Sequence, residues 1–291
     1  MDRYLTVAEV SAAARRLVSR YPGAGRLRRV GTSRAGRPLE MLSVGHGPAH
    51  VLVVARPHPD EPVGAVTALS LAERVARGDG RTPATDPTRV TWDLVLCLDP
   101  DGAALSDGVE EATACPAHAL ERYFRAAFRP VAAEQPEWAP IESSRLPESR
   151  ALFGLIDDRR PVLQCSLHGI EAGGAFAHLT DDLPGFAEGF HTAAAGLSVP
   201  VQHGTFDALY WENPAPGVHV LPPPESTGGS RPVPRTSAGP RGARPGGTAV
   251  SPRSSRCRCG RARGPTIPPR APTPYAPCAG CRGWCGTEAS R

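Results

Sequence analysis

The chain has 291 residues, of which 40% are hydrophobic and 21% charged, and its formal net charge is +4. That length and apolar fraction exclude a disulfide-stapled mini-protein and suffice for one large or two ordinary domains. The net charge hides two unlike parts: up to Glu225 there are 21 arginines against 28 acids, and after it 12 arginines against one acid, Glu288.

No lysine occurs, so all 33 basic residues are arginines, a usage that points to a GC-rich coding sequence. The first residues, MDRYLTVAEVSAAARRLVSRY, lack the apolar centre of a signal peptide, and no run approaches the ~18 apolar residues of a membrane span. A cytoplasmic protein with no membrane partner is expected. Cys97 and Cys165 lie inside apolar runs, where a reduced, buried thiol is the ordinary state.

Residues 6–20 place Val7, Val10, Ala14, Leu17 and Val18 at helical spacing behind Thr6, a suitable cap. RLRRVGTSRAGRPLEMLSVG then sets two short runs around Arg34-Ala35-Gly36-Arg37, as in a hairpin. HVLVVA (50–55), DLVLCL (93–98) and VLQCSL (162–167) are short continuous apolar runs expected of buried strands. Helices are expected over 64–77, 117–128, 147–158 and about 184–196. Strands alternating with helices imply an α/β fold: a mixed, largely parallel sheet flanked by helices, with ligands bound beyond the carboxyl ends of the strands.

After Leu221 the periodicity stops. Residues 222–291 hold 14 of the 33 prolines, together with Gly, Ser and Arg, and this composition is expected to form a disordered tail behind a domain of residues 1–221. Two origins compete for it. One is a natural basic extension with an electrostatic footprint for nucleic acid. The other, which we prefer, is translation in a shifted frame of GC-rich DNA, leaving the domain incomplete; nucleic acid is then not an expected partner.

The stretch RPHPDEP puts His58 and Glu61 just past the end of the first buried strand, in a turn stiffened by Pro57, Pro59 and Pro62. His168 stands just past the third, followed by Gly169, which lets the chain come close to a substrate. Two histidines and a carboxylate are a catalytic zinc donor set that leaves a position for water. Taken singly these residues are weak signals: Glu61 also fits a solvated acid in a first helical turn, and His168 a satisfied strand-end histidine.

In order and company, however, the motifs resemble the zinc metallocarboxypeptidases. HPDE at 58–61 is similar to that family's ligand pair H-x-x-E, DPDG at 99–102 to its N-P-D-G segment, SLHG at 166–169 to the setting of its third ligand, and VGTSRAGRPLE at 30–40 to its entry motif. The resemblance spans roughly residues 26–220. It implies one zinc ion held by His58, Glu61 and His168, and release of a C-terminal residue from a peptide, or a related amide hydrolysis, by zinc-activated water. The family's arginines map by similarity onto ERYFRAAFR (121–129), which makes Arg125 the candidate for polarising the scissile carbonyl and Arg129 for binding the substrate carboxylate. The spacing from DPDG is longer than in the family, and a solvated helix face stays open as the alternative.

Three departures stand out. Asp99 replaces the usual Asn, and Ser166 stands where an Asp usually precedes the third ligand by two. The family also needs a glutamate on a late strand as general base, and between Ser226 and Thr287 the chain has no acid at all. A zinc site with little or no turnover is the expectation.

Other readings stay open. The opening strand is also similar to that of the zinc-dependent N-acetylglucosaminyl deacetylases, whose second aspartate and later H-x-D-H pair are missing here. The aspartoacylase and succinylglutamate desuccinylase branch, acting on N-acyl amino acids, shares H-x-x-E and the later His. A non-catalytic zinc- or nucleic-acid-binding protein would act through the basic tail, where CRC at 257–259, CAGC at 278–281 and Cys285 could hold a metal. Oligomeric state cannot be read from the sequence.

Overall fold

The computed structural model describes residues 4–78, 82–107, 136, 146–169, 173–204, 208, 210–222 and 249–250. Helix α1 (Val7–Arg20) starts at a capping box: Thr6 accepts from the Glu9 amide, and the Glu9 carboxylate accepts from the Thr6 amide at 2.8 Å. Its buried residues, Val10, Ala14 and Leu17, form one stripe. Strands β1 (Gly25–Thr32) and β2 (Pro38–Val44) pair antiparallel, as the hairpin pattern requires. Gly36 takes φ +86° in the turn, a conformation open to glycine and strained for most other residues.

The centre of the sheet follows. Strand β3 (Ala49–Ala55) leads through the HPDE turn into α2 (Val63–Ala76), and β4 (Val90–Val95) leads into α3 (Pro100–Ser106). Helix α4 (Pro147–Arg159) precedes β5 (Leu163–Leu167). Strand β3 pairs parallel with β4 on one side and with β5 on the other, as apolar runs buried on both faces demand. Its residues alternate between two cores. Val51, Val53 and Ala55 pack with the stripes of α1 and α2, whereas Leu52 and Val54 pack with Leu152, Leu155 and Ile156 of α4.

Strand β4 begins and ends three residues earlier than the expected 93–98. Thr91 and Asp93 interrupt the apolar run yet lie in the ladder with β3, and Asp93 is buried against Ser43 and His50. Residues 96–99 remain beside the sheet, with the Leu98 amide donating to Ala55 and the Asp99 amide to Arg56.

A second, smaller group comprises β6 (Ala177–Leu179), α5 (Phe186–Gly196), β7 (Glu212–Ala215) and β8 (Val218–Val220). Among the described residues, its buried Ala177, Leu179 and Val218 pack against Phe186 and Phe190 of α5. A two-residue strand, β9 (Ala249–Val250), joins the groups, giving the order β1-β2-β4-β3-β5-β9-β6-β8-β7. The sheet is therefore mixed, parallel through β4-β3-β5-β9 and antiparallel at β1-β2-β4 and β7-β8. Strand β9 falls within 222–291, where no ordered element was expected; the rest of that segment beyond Pro222, and the expected helix at 117–128, lie outside the described residues. Among the described residues no helix is long and apolar enough to cross a membrane.

Candidate functional site

The ends of β3 and β5 lie side by side, with Ala55 in register with Leu167, so the chain leaves both strands at the same edge of the sheet. His168 is the first residue after β5, and His58 is the third after β3. A turn closes between them on the Glu61 amide, which donates to the His58 carbonyl at 3.3 Å, and Pro62 then caps α2. Glu61 is 5% exposed rather than solvated, so burial decides between the two readings of this acid.

His58, Glu61 and His168 each present one ligand atom, and these atoms lie within 4.8 Å of one another. The His168 Nδ1 is 2.8 Å from a Glu61 carboxylate oxygen, and the two imidazoles stand 5.1 Å apart between centroids. His58 Nε2 is buried without a hydrogen-bond partner among the described residues. A buried polar atom left in that state is costly unless it meets a partner, and a cation at the convergence point would supply one. Two imidazoles and one carboxylate fit the donor set of a catalytic zinc.

Gly64 allows a close approach beside the site and had no signal in the sequence beyond being a glycine at the start of a helix. A Cβ there would sit 3.1 Å from the Leu167 Cβ and 3.2 Å from its carbonyl oxygen, so the absent side chain lets α2 approach the end of β5. A Cβ at Gly169 would make ordinary contact with the Glu61 side chain at 3.6 Å.

The DPDG acids serve the scaffold. Asp99 caps α3 by accepting from the Gly102 amide at 2.9 Å. Asp101 accepts from Ser33 Oγ at 2.6 Å, from the Ala35 amide at 2.8 Å and from Arg37 at 3.1 Å. Burial pushes the Asp101 carboxyl up, but these hydrogen bonds and the Arg37 charge outweigh it and hold the group below its ordinary value. The GRP turn and the DPDG segment, separate motifs in the sequence, are thus one hydrogen-bonded unit beside the site.

Cys97 and Cys165 are the free thiols among the described residues. Burial pushes the Cys165 thiol up to about 11 and the Cys97 thiol up to about 12, so neither offers a thiolate at neutral pH. Arg125 and Arg129 lie outside the described residues.

The zinc carboxypeptidase family profile matches residues 10–181, more than half of the chain. No curated protein sequence matches. Among solved structures, the metallo-carboxypeptidase from Burkholderia cenocepacia is 21% identical, with 66% of this chain and 48% of that one covered and a TM-score of 0.46. The carboxypeptidase A from Helicoverpa armigera is 16% identical over 67% of this chain and 53% of its own, with a TM-score of 0.46. The metallo-carboxypeptidase from Pseudomonas aeruginosa, solved with (2-guanidinoethylmercapto)succinic acid, is 23% identical over 70% and 52%, with a TM-score of 0.42. The chain spans about half the length of each of these proteins.

Proposed function

Since this chain belongs to the zinc carboxypeptidase family, we propose that His58, Glu61 and His168 hold one zinc ion in a hydrolase site for peptides or N-acyl amino acids, and that turnover at this site is slow. The observation that carries the reading is the convergence of three donor atoms within 4.8 Å at the paired ends of β3 and β5. A bound zinc ion supplies Lewis-acid polarisation of a carbonyl and activation of water.

The chain's own residues divide the remaining work unevenly. Glu61 and His168, at 2.8 Å, hold each other in the donor arrangement, beside the buried end of β3. Arg125 is our candidate for polarising the scissile carbonyl, and Arg129 for holding a substrate carboxylate. The proton removed from the attacking water needs an acceptor other than a metal ligand, and after Glu225 the sole acid is Glu288. General-base catalysis contributes on the order of 10²–10⁴-fold, so its loss slows hydrolysis by that factor. The segment 222–291 is, in this reading, an out-of-frame product in place of the strand that would carry the base, and the working compartment is the cytoplasm.

Zinc content and turnover of the full-length chain test the proposal together. The expected result is about one zinc per chain above the content of His58→Ala and His168→Ala, with hydrolysis of N-acyl dipeptides and N-acyl amino acids barely above background. Equal zinc in all three proteins defeats the site; zinc-dependent turnover at an ordinary enzymatic rate, roughly 1–10³ s⁻¹, defeats the claim of a missing base.

A further inference from the structure

Arg56 is the residue between β3 and the HPDE turn. It is 3% exposed and takes φ +49°, the left-handed region where an arginine is strained and glycine is at ease. A buried guanidinium on a strained backbone persists where its contacts outweigh both costs, and those contacts are specific.

The Arg56 Nε and one terminal nitrogen both donate to the Pro59 carbonyl, at 3.1 and 2.9 Å. Pro59 lies inside the ligand turn, between His58 and Glu61. The same terminal nitrogen reaches Ser106 Oγ at 3.2 Å and Asp107 at 2.7 Å, and Ser106 Oγ donates in turn to the Pro59 carbonyl at 3.0 Å. The other Asp107 oxygen accepts from the Val7 amide at the start of α1, at 2.8 Å. The Arg56 carbonyl accepts from the Asp99 amide at the start of α3, at 3.2 Å.

We infer that Arg56 is a positioning residue for the metal ligands: it clamps the His58–Glu61 turn to both ends of α3 and, through Asp107, to the start of α1. The left-handed backbone turns the chain out of β3, and the buried guanidinium fixes where the turn comes to rest. Asp107 balances its charge, so the clamp stands beside a cation site without a net positive charge of its own. This role is distinct from ligation, since no Arg56 atom is a donor to a metal. It rests on the zinc reading above.

The test is zinc affinity of the full-length chain, measured by competition with a chromophoric chelator, with His58→Ala as the background for zinc held elsewhere. The Co²⁺-substituted protein adds the d–d spectrum, which reports ligand arrangement. Arg56→Gly relieves the backbone and removes the clamp. We expect a folded protein whose zinc affinity falls about 10–100-fold, the range for residues that orient metal ligands from behind, with an altered Co²⁺ spectrum. Asp107→Asn, which keeps shape but weakens the clamp, should lose about 3–10-fold by the same logic.

A folded Arg56→Gly with wild-type affinity and spectrum overturns the inference. Should Arg56→Gly fail to fold, Asp107→Asn decides, and unchanged affinity there overturns it as well. A wild-type protein holding no more zinc than His58→Ala refutes the metal site itself and the clamp with it, a result distinguishable from the other two.

Discussion

Toward β3, strand β5 is paired from Leu163 to Leu167, and that ladder ends where His168 meets the turn bearing His58 and Glu61. Toward β9, the described pairing covers Gln164 and Cys165. The first edge belongs to a sheet with α1 and α2 on one face and α4 on the other; the second leads to a group whose enclosed core is Ala177, Leu179 and Val218. The three candidate ligands therefore rest on the half with the larger core, and among the described residues the other half has the smaller one. A metal site and a catalytic site need not stand or fall together here.

Core truncation should expose that contrast most strongly. Leu52 and Leu179 are both fully buried, but Leu52 packs with Leu152, Leu155 and Ile156 of α4 in the larger core and Leu179 in the small group. Leu52→Ala should cost about 4 kcal/mol and Leu179→Ala about 2, because a lightly packed site collapses around the cavity more easily. Urea unfolding of each variant measures this; equal losses would break the division into strong and weak halves.

A smaller effect is expected at the seam of the strong half. Gly64→Ala places a methyl group 3.1 Å from the Leu167 Cβ. Overpacking of this kind costs about 1–3 kcal/mol, partly offset by up to ~1 kcal/mol of helix propensity, leaving a net loss near 1 kcal/mol. A drop in zinc affinity should accompany it, since α2 carries the turn away from β5. A stabilised variant with unchanged affinity would show that the close approach is incidental.

The smallest effect belongs to the weak half. His219 on β8 is buried against the edge of the His178 ring, with its Nδ1 3.1 Å from the Asn213 amide nitrogen, and burial holds its pKa below the ordinary value near 6.5. The unfolded chain then binds the proton more readily than the folded one. Stability from this residue is full above about pH 6.5 and is lost as pH falls through the folded-state value. His219→Gln should flatten the acid limb of the stability curve between pH 7.5 and 5; an unchanged slope would remove His219 from the account.

Much of the strong half was legible in the sequence because its signals are local. The Thr6–Glu9 box, the hairpin turn at Gly36 and the continuous apolar run of β3 each act within a few residues. Of the weak half, α5 (Phe186–Gly196) forms where a helix was expected at about 184–196, but the strands were not legible. AHL and VHV are too short to show a period, and their place in the sheet is settled by partners far along the chain, although the Pro216-Gly217 turn between β7 and β8, with Gly217 at φ +70°, was a usable hairpin signal.

The candidate set His58, Glu61 and His168, whose donor atoms converge, could be named from motif order, but its supports could not. Nothing local marks Gly64 as the residue that admits β5, and an arginine after an apolar run does not announce a left-handed, buried clamp. Both depend on what lies across the sheet.

Zinc K-edge absorption of the full-length chain, loaded with one equivalent of metal, tests the central claim most directly, because it reads the ligands themselves. Coordination by His58, Glu61 and His168 predicts a shell of nitrogen and oxygen at about 2.0–2.2 Å with the outer scattering of two imidazoles, lost in His168→Ala. A sulfur shell at about 2.3 Å, retained in that variant, would place the metal on the cysteines of the tail and contradict the account.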